Sequence, residues 1–322
     1  MLISRRRALL LIGLLVAAAA PAAAFPDQPV KIIVPYPASG TSDILARLMA
    51  ARLEQKLGKP FIVENRSGAS GMIGAAAVAQ AAPDGYTLVL GTISTHGINS
   101  SVFKTMAYDA VRDFAPVTII ASTPNVLMVH PSLPVKSVGE LIAYAKQNPG
   151  TLNFGSTSTG GSPHMSGELL KALAQINIQH VPYRGAGPML NDLIGGHIKM
   201  AFDNLPSSME HIRAGTVRAL AVTTKERFPG APDIPTMEES GVPGYEVSAW
   251  FGILAPAKTP LPVVDVLYRN MAEALAEAPV RQRLDNLGGV PGGMPPAEFA
   301  KRIADEVGKW KDVVAATGVR VE

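Results

Sequence analysis

Short runs of β-branched and aliphatic residues alternate along this chain with longer stretches in which apolar side chains recur every three or four positions. Strands show alternation in twos and helices a stripe about every 3.6 residues, so the pattern predicts a mostly parallel sheet covered by helices, an α/β fold. Val30–Val34 reads as the first strand, and Leu45, Met49, Leu53 and Leu57 as the buried stripe of the helix behind it. Residues 86–90, 152–154, 178–182, 198–202 and 218–222 read as further strands. Ser137 with Glu140 is a capping box that opens a helix, and Gly195 stops another.

Two stretches read as crossings between lobes. Residues 116–134 form a long β-rich run, with 117–120 and 126–129 as strands and Ser122, Thr123 and Pro124 between them. Residues 228–245 hold Pro229, Pro232, Pro235 and Pro243 and lead into a strand at 249–254. Two crossings make two lobes: residues 25–123 with 245–322, and residues 124–244. The stripes Val263, Leu267, Met271, Leu275 and Phe299, Ile303, Val307, Trp310, Val314 predict two C-terminal helices packed on the first lobe. Trp250 and Trp310 are expected to serve packing.

Composition narrows the picture. With 47% hydrophobic and 17% charged residues, the 322-residue chain has ample core material and is neither disordered nor a coiled coil. Zero cysteines exclude a disulfide framework, a thiolate zinc site, a cysteine nucleophile and a cysteine-linked lipid anchor. Arg5, Arg6 and Arg7, an apolar run at 8–20 and Ala22, Ala23 and Ala24 read as an export signal cleaved near Ala24, the apolar run being too short to span a bilayer. Ser4, Arg5 and Arg6 with Ala8 leave the export route open between the general and twin-arginine systems. The three arginines account for the whole formal charge of +3, so the mature chain is about neutral and nucleic acid is not an expected partner.

In open α/β sheets ligands gather beyond the carboxyl ends of the strands, and there this chain places hydroxyls and glycines. Residues 36–43, 91–96 and 155–164 are three such loops; two further strands end at Tyr183, Arg184, Gly185 and at Asp203, Asn204. Unpaired N–H groups at helix starts attract an anion, so a small carboxylate could be held with little help from Arg or Lys. Any one such loop could equally be only a turn and a cap. Asp43 with Arg47 fits a capping or surface ion pair. His164 could meet a ligand or order its own loop. Arg184 could meet a second carboxylate or pair with an acid between elements. Asp203 could accept from a ligand hydroxyl or ammonium, or cap the helix near Pro206. Neither G-x-S-x-G, H-E-x-x-H nor a phosphate-binding loop is present, and Gly185, Ala186 and Gly187 break off at Leu190 where a dinucleotide loop needs glycine or alanine. A nucleophile triad of Ser158, His164 and Asp203 is the enzyme alternative.

Residues 34–43 (VPYPASGTSD), 63–71 (VENRSGASG), 83–86 (PDGY), 155–164 (GSTSTGGSPH), 181–185 (VPYRG) and 202–204 (FDN) resemble, in this order and across essentially the whole mature chain, the Bug-type receptors of tripartite tricarboxylate transporters. The resemblance implies a two-lobed periplasmic-binding-protein type II fold closing over a small ligand. It implies that Tyr36, Ala38, Ser39, Gly40 and Thr41 face Thr157, Ser158, Thr159 and Gly161 across a carboxylate. Thr92, Ser94 and Asp203 would complete the pocket. Ser39 departs from the family's usual glycine, adding a hydroxyl at the carboxylate loop; Ser67 and Ser70 replace its usual proline and glycine, a matter of turn geometry. The implied protein is a periplasmic, monomeric receptor without cofactor, metal or catalytic residue. It captures a mono- or dicarboxylate, amino acid or aromatic acid for membrane permease subunits. A hydrolase in the same cleft, or a ligand-sensing partner of a sensor kinase, are the alternatives.

Overall fold

The computed structural model describes residues 25–317, so the proposed export signal at 1–24 lies outside the described residues. Strand β1 (Val30–Val34) is central to its part of the sheet, and Val30, Ile32, Ile33 and Val34 are fully buried, as a parallel strand covered on both faces must be. Helix α1 (Thr41–Leu57) crosses from β1 to β2 (Phe61–Asn65), and α2 (Met72–Ala79) from β2 to β3 (Thr87–Thr92). Both neighbours pair with β1 in parallel. A wide π turn at Ser94–Ile98 and α3 (Asn99–Val102) lead to β4 (Phe114–Val129).

Strand β4 organises the molecule. It is followed by α4 (Val138–Gln147), β5 (Asn153–Ser156), α5 (Ser162–Ala174), β6 (Gln179–Pro182), α6 (Ala186–Ile194), β7 (Met200–Asn204), α7 (Leu205–Arg213) and β8 (Arg218–Val222). The chain then returns as β9 (Ser248–Pro256), α8 (Leu261–Ala276), α9 (Ala278–Leu287), β10 (Val290–Pro291) and α10 (Pro296–Thr317). The strand order is β2-β1-β3-β9-β4-β7-β5-β6, with β8 and β10 also on β4. From Phe114 to Pro124, β4 runs antiparallel to β9; from Asn125 to Val129 it runs antiparallel to β7, and Val126 to Val129 also pair with β8. One strand therefore serves both halves of a two-lobed α/β fold.

The sequence pattern predicts two strands here with 122–124 between them, whereas the structure has one strand of 16 residues. Pro124 is tolerated because it stands where the partner changes, at the end of the β9 ladder and before the β7 ladder, where a missing N–H costs least. Strands β2 and β10 and helices α2, α3 and α9 escape the periodicity. Strand β2 is short, α2 is a nearly uniform run of small and apolar residues (MIGAAAVA) without a polar face, and α9 begins directly after α8. The two predicted C-terminal helices are present. Helix α8 packs on α1 and β4, and α10 on α3, the π turn and β4. Trp250 is fully buried and meets Phe299 of α10 edge-on at 5.2 Å.

Helix α5 reaches the sheet through a glycine. A Cβ on Gly167 would lie 2.1 Å from the fully buried Phe154 ring. Gly167→Ala should therefore lower stability by roughly 1–3 kcal/mol through overpacking, measurable as a reduced urea midpoint with an unchanged slope.

Candidate ligand-binding cleft

Four helices start at one cleft. The residues before their first turns are Gly40 (α1), Gly161 (α5), Gly185 (α6) and Asn204 (α7), and none caps its helix with a side chain. Three are glycines, which have no side-chain oxygen to offer; the Asn204 amide instead donates to Asn125 Oδ1. Apart from the Ser162 N–H, which Ser94 Oγ accepts, first-turn N–H groups are thus left to whatever occupies the space. The cavity between the helix starts measures about 40 Å³ and is partly open to solvent, so it admits only a small ligand. The Ser42, Thr157 and Ser158 hydroxyls line it without a hydrogen bond to any described residue. Asp203 is the only charged residue in its lining.

Of the residues expected from sequence, Tyr36, Gly40, Thr41, Thr92, Ser94, Thr157, Ser158 and Asp203 line this cleft. Ala38 and Ser39 are exposed and outside the lining, and Thr159 lines an adjoining chamber. Gly161 lies just behind the wall, where a Cβ would sit 2.3 Å from Ser158 Oγ. Sequence reasoning missed Ile93, Ala249 and Phe251, which form an apolar patch in the lining. Their signal is faint because β9 is apolar at every position. Only its alternation separates Ala249 and Phe251, at the cleft, from Trp250 against α10.

The first loop is held by a buried acid. Asp43 accepts from the Ser39 N–H at 3.1 Å, from Asn65 Nδ2 at 3.1 Å and from Arg47 Nε at 3.0 Å. Burial opposes its ionisation, yet the hydrogen bonds from Arg47, Ser39 and Asn65 outweigh it and hold the carboxyl below its ordinary value. The Asp43–Arg47 pair thus shapes the loop before α1. Ser39 adopts φ +69°, the left-handed region where glycine is at ease. Its departure from the family glycine therefore strains a turn and places no hydroxyl in the cleft. Ser70 sits at φ +53°, but its hydroxyl also donates to the Thr159 carbonyl at 2.5 Å, so this substitution is more than turn geometry.

Further hydrogen bonds cross the cleft. Thr41 Oγ1 donates to Ser207 Oγ at 3.1 Å, and Ser207 Oγ donates to Asp203 at 2.7 Å. The Ser162 N–H donates to Ser94 Oγ at 3.2 Å. Asp203 also accepts from Ser208 Oγ and the Asn204 N–H, each at 2.8 Å, yet burial pushes its carboxyl up to about 6. Beneath the floor, fully buried Asn125 donates to Ser166 Oγ at 2.9 Å and accepts from Asn204, tying the starts of α5 and α7 to β4. Its own N–H donates to Thr223 Oγ1 at 2.9 Å, and that hydroxyl donates to Val247 O at 2.6 Å. Thr223 thereby links the strand leaving one half to the segment returning to it.

The hydrolase constellation is not assembled. No hydrogen bond joins Ser158, His164 and Asp203. His164 Nδ1 accepts from the Gly160 N–H at 2.9 Å, so this histidine orders its own loop, and its Nε2 lies 3.6 Å from Glu168. The ring stacks on His180 at 3.8 Å. Burial, with His164 alongside, pushes His180 down to about 3, leaving it neutral near pH 7. Among the described residues no group of three acids or histidines could hold a metal ion.

Two half-sheets joined through β4, with helix starts facing each other across the gap, define a periplasmic-binding-protein fold. Solved structures bear this out. Rpa4515 of R. palustris, solved with adipate, is 42% identical with a TM-score of 0.89, covering 91% of this chain and 98% of its own. MatC of Rhodopseudomonas palustris, solved with bound malate, is 35% identical with a TM-score of 0.86, covering 90% of this chain and 100% of its own. Protein BugT of Bordetella pertussis is 36% identical over 98% of this chain and 99% of its own length. The family described as the tripartite tricarboxylate transporter family receptor matches residues 45–319, and the chain belongs to it. It is a solute-binding receptor of the Bug type.

Two outcomes follow from the loop and the floor. Ser39→Gly should raise stability by about 1 kcal/mol by relieving the left-handed backbone, read as a higher denaturant midpoint. Between its ordinary value and about 6, Asp203 binds more proton in the folded than in the unfolded chain, so its contribution to stability falls as pH rises through that window. In Asp203→Asn this term vanishes. The stability difference, mutant minus wild type, should grow from about pH 4 to 6 and then level off, as measured by urea unfolding across that range.

Proposed function

We propose that this protein is exported, loses residues 1–24 near Ala24, and works in the periplasm as the receptor that captures a small carboxylate and delivers it to membrane permease subunits. Among the described residues no helix is long and apolar enough to cross a membrane, which agrees with a receptor that meets its permease from outside the bilayer. Residues 25–123 with 245–322 act as one lobe and 124–244 as the other. The crossings at Asn125 and Thr223 are the hinge. One acid accepts from the starts of α1, α5 and α6 and from the unbonded hydroxyls of Thr157 and Ser158, while Thr41 lines the site with its hydroxyl bonded to Ser207. Tyr36, Thr92 and Ser94 wall it in, Asp203 lies at the floor, and Ala38, Ser39, Thr159 and Gly161 hold the loops in shape.

The observation that carries this reading is that helix starts without side-chain caps, from both halves, line a single cleft without a lysine or arginine. Neutral donors satisfy a carboxylate at little cost and release it readily. Because donors on both halves reach one anion only when the cleft is closed, the ligand shifts an open–closed equilibrium toward closure. No bond is made or broken. The acids bound by Rpa4515 and MatC, adipate and malate, belong to the ligand class this cleft suits.

Calorimetry against a panel of dicarboxylates, monocarboxylates, amino acids and aromatic acids tests the proposal. One acid should bind with a stoichiometry of one and be recovered chemically unchanged. Thr157→Val, which removes a free hydroxyl from the wall, should weaken that binding about fivefold to tenfold without lowering the unfolding midpoint. Conversion of the acid on incubation would mean an enzyme, and binding of no acid would remove the receptor reading.

A further inference from the structure

The cleft continues into a second chamber. Tyr36, Pro37, Thr157, Ser158 and Gly185 are walls of both. The second chamber has a volume of about 540 Å³, again partly open to solvent, and its lining includes Ser67, Ser70, Thr159 and Arg184 but no carboxylate. The two chambers thus carry opposite charge, with buried Asp203 at the floor of the first and Arg184 on the wall of the second.

From sequence, Arg184 could pair with an acid between elements or meet a second carboxylate of a ligand. The structure removes the first reading. Arg47 of α1 and Arg66 after β2 are held by Asp43 and Glu64, whereas the Arg184 guanidinium has no ion pair and no hydrogen bond among the described residues. Its backbone, in contrast, is fixed. The Tyr183 N–H donates to Ser156 O at 2.9 Å, the Gly185 N–H to Thr157 O at 3.0 Å, and Tyr183 OH to Asp192 at 2.7 Å. An exposed, unpaired guanidinium is therefore rooted on the loop that also walls the first chamber.

We infer that Arg184 receives the second carboxylate of a linear dicarboxylate whose first carboxylate lies among the helix starts, and that it makes this receptor prefer diacids to monoacids. The inference rests on the receptor reading of the cleft. The neutral donors of the first chamber see the same group in a monoacid and a diacid, so they cannot tell the two apart. A planar guanidinium can, because its paired N–H groups match the two oxygens of a carboxylate. The hydroxyls of Ser67 and Thr159 line the same chamber as Arg184.

The test is calorimetry and stopped-flow binding with the linear diacids from succinate to pimelate and the monoacids of equal chain length. The best diacid should bind at least about tenfold tighter than its monoacid. Arg184→Gln should cost about tenfold for that diacid, mainly through faster dissociation, and leave the monoacid within about twofold. Arg184→Lys, which keeps the charge without the fork, should recover part of the loss. Since Arg184 is exposed, the unfolding midpoint of both variants should match wild type. Monoacids binding as tightly as diacids would overturn the inference. So would a loss in Arg184→Gln that falls equally on both acids, or one confined to the association rate, which would make Arg184 a steering charge only. If no acid binds at all, the receptor reading itself fails.

Discussion

The structure depends on one constraint: helices that begin on glycine have no side-chain cap, so their first-turn N–H groups must be satisfied across the cleft, as Ser94 Oγ does for the Ser162 N–H, or by what the cleft holds. In α1, α5 and α6 the residue before the helix is Gly40, Gly161 or Gly185. A serine or aspartate there would close the site by satisfying its own backbone. Everything around these starts holds them in place. Asp43 pins the turn before α1, His164 pins the loop before α5, and the Tyr183–Gly185 backbone is bonded to Ser156 and Thr157 before α6. Parallel β1 and β3 deliver their helices to one side of the cleft, and β5 and β6, parallel to each other but opposite in direction to β1 and β3, deliver theirs to the facing side.

The buried polar groups below the cleft form one connected set. Asn125, Ser162, Ser166, Asn204 and Thr223 satisfy one another, and Tyr245 OH completes the set by donating to Ser166 O at 2.5 Å. Such a network costs desolvation and repays it only when complete, so it specifies one arrangement of α5, α7 and the crossing strands. That arrangement links the place where the two half-sheets join to the place where ligand donors converge.

How much of this was legible in the sequence varied with the physics of each feature. The α/β alternation, the stripes of α1, α8 and α10 and the hydroxyl-rich loops after β1, β3 and β5 follow from local periodicity and turn chemistry. The continuity of β4 does not, because Pro124 reads as a break until the change of partner strand is known. Ala249 and Phe251 were hidden because a strand buried on both faces loses its polar alternation. Ser39 reads as an added ligand hydroxyl, and only its positive φ shows that the position concerns backbone shape. The fate of Arg184 depends on which acids lie nearby in space, which spacing along a chain cannot report.

The insertion of β9 between β3 and β4 has a consequence for biogenesis. As the polypeptide emerges from the ribosome, the first half of the sheet lacks its middle strand until residue 256 has been made. Long-range pairings of this kind form slowly and late. The nascent chain consequently stays incompletely folded through most of its synthesis, with the apolar edges of β3 and β4 in need of protection from mispairing.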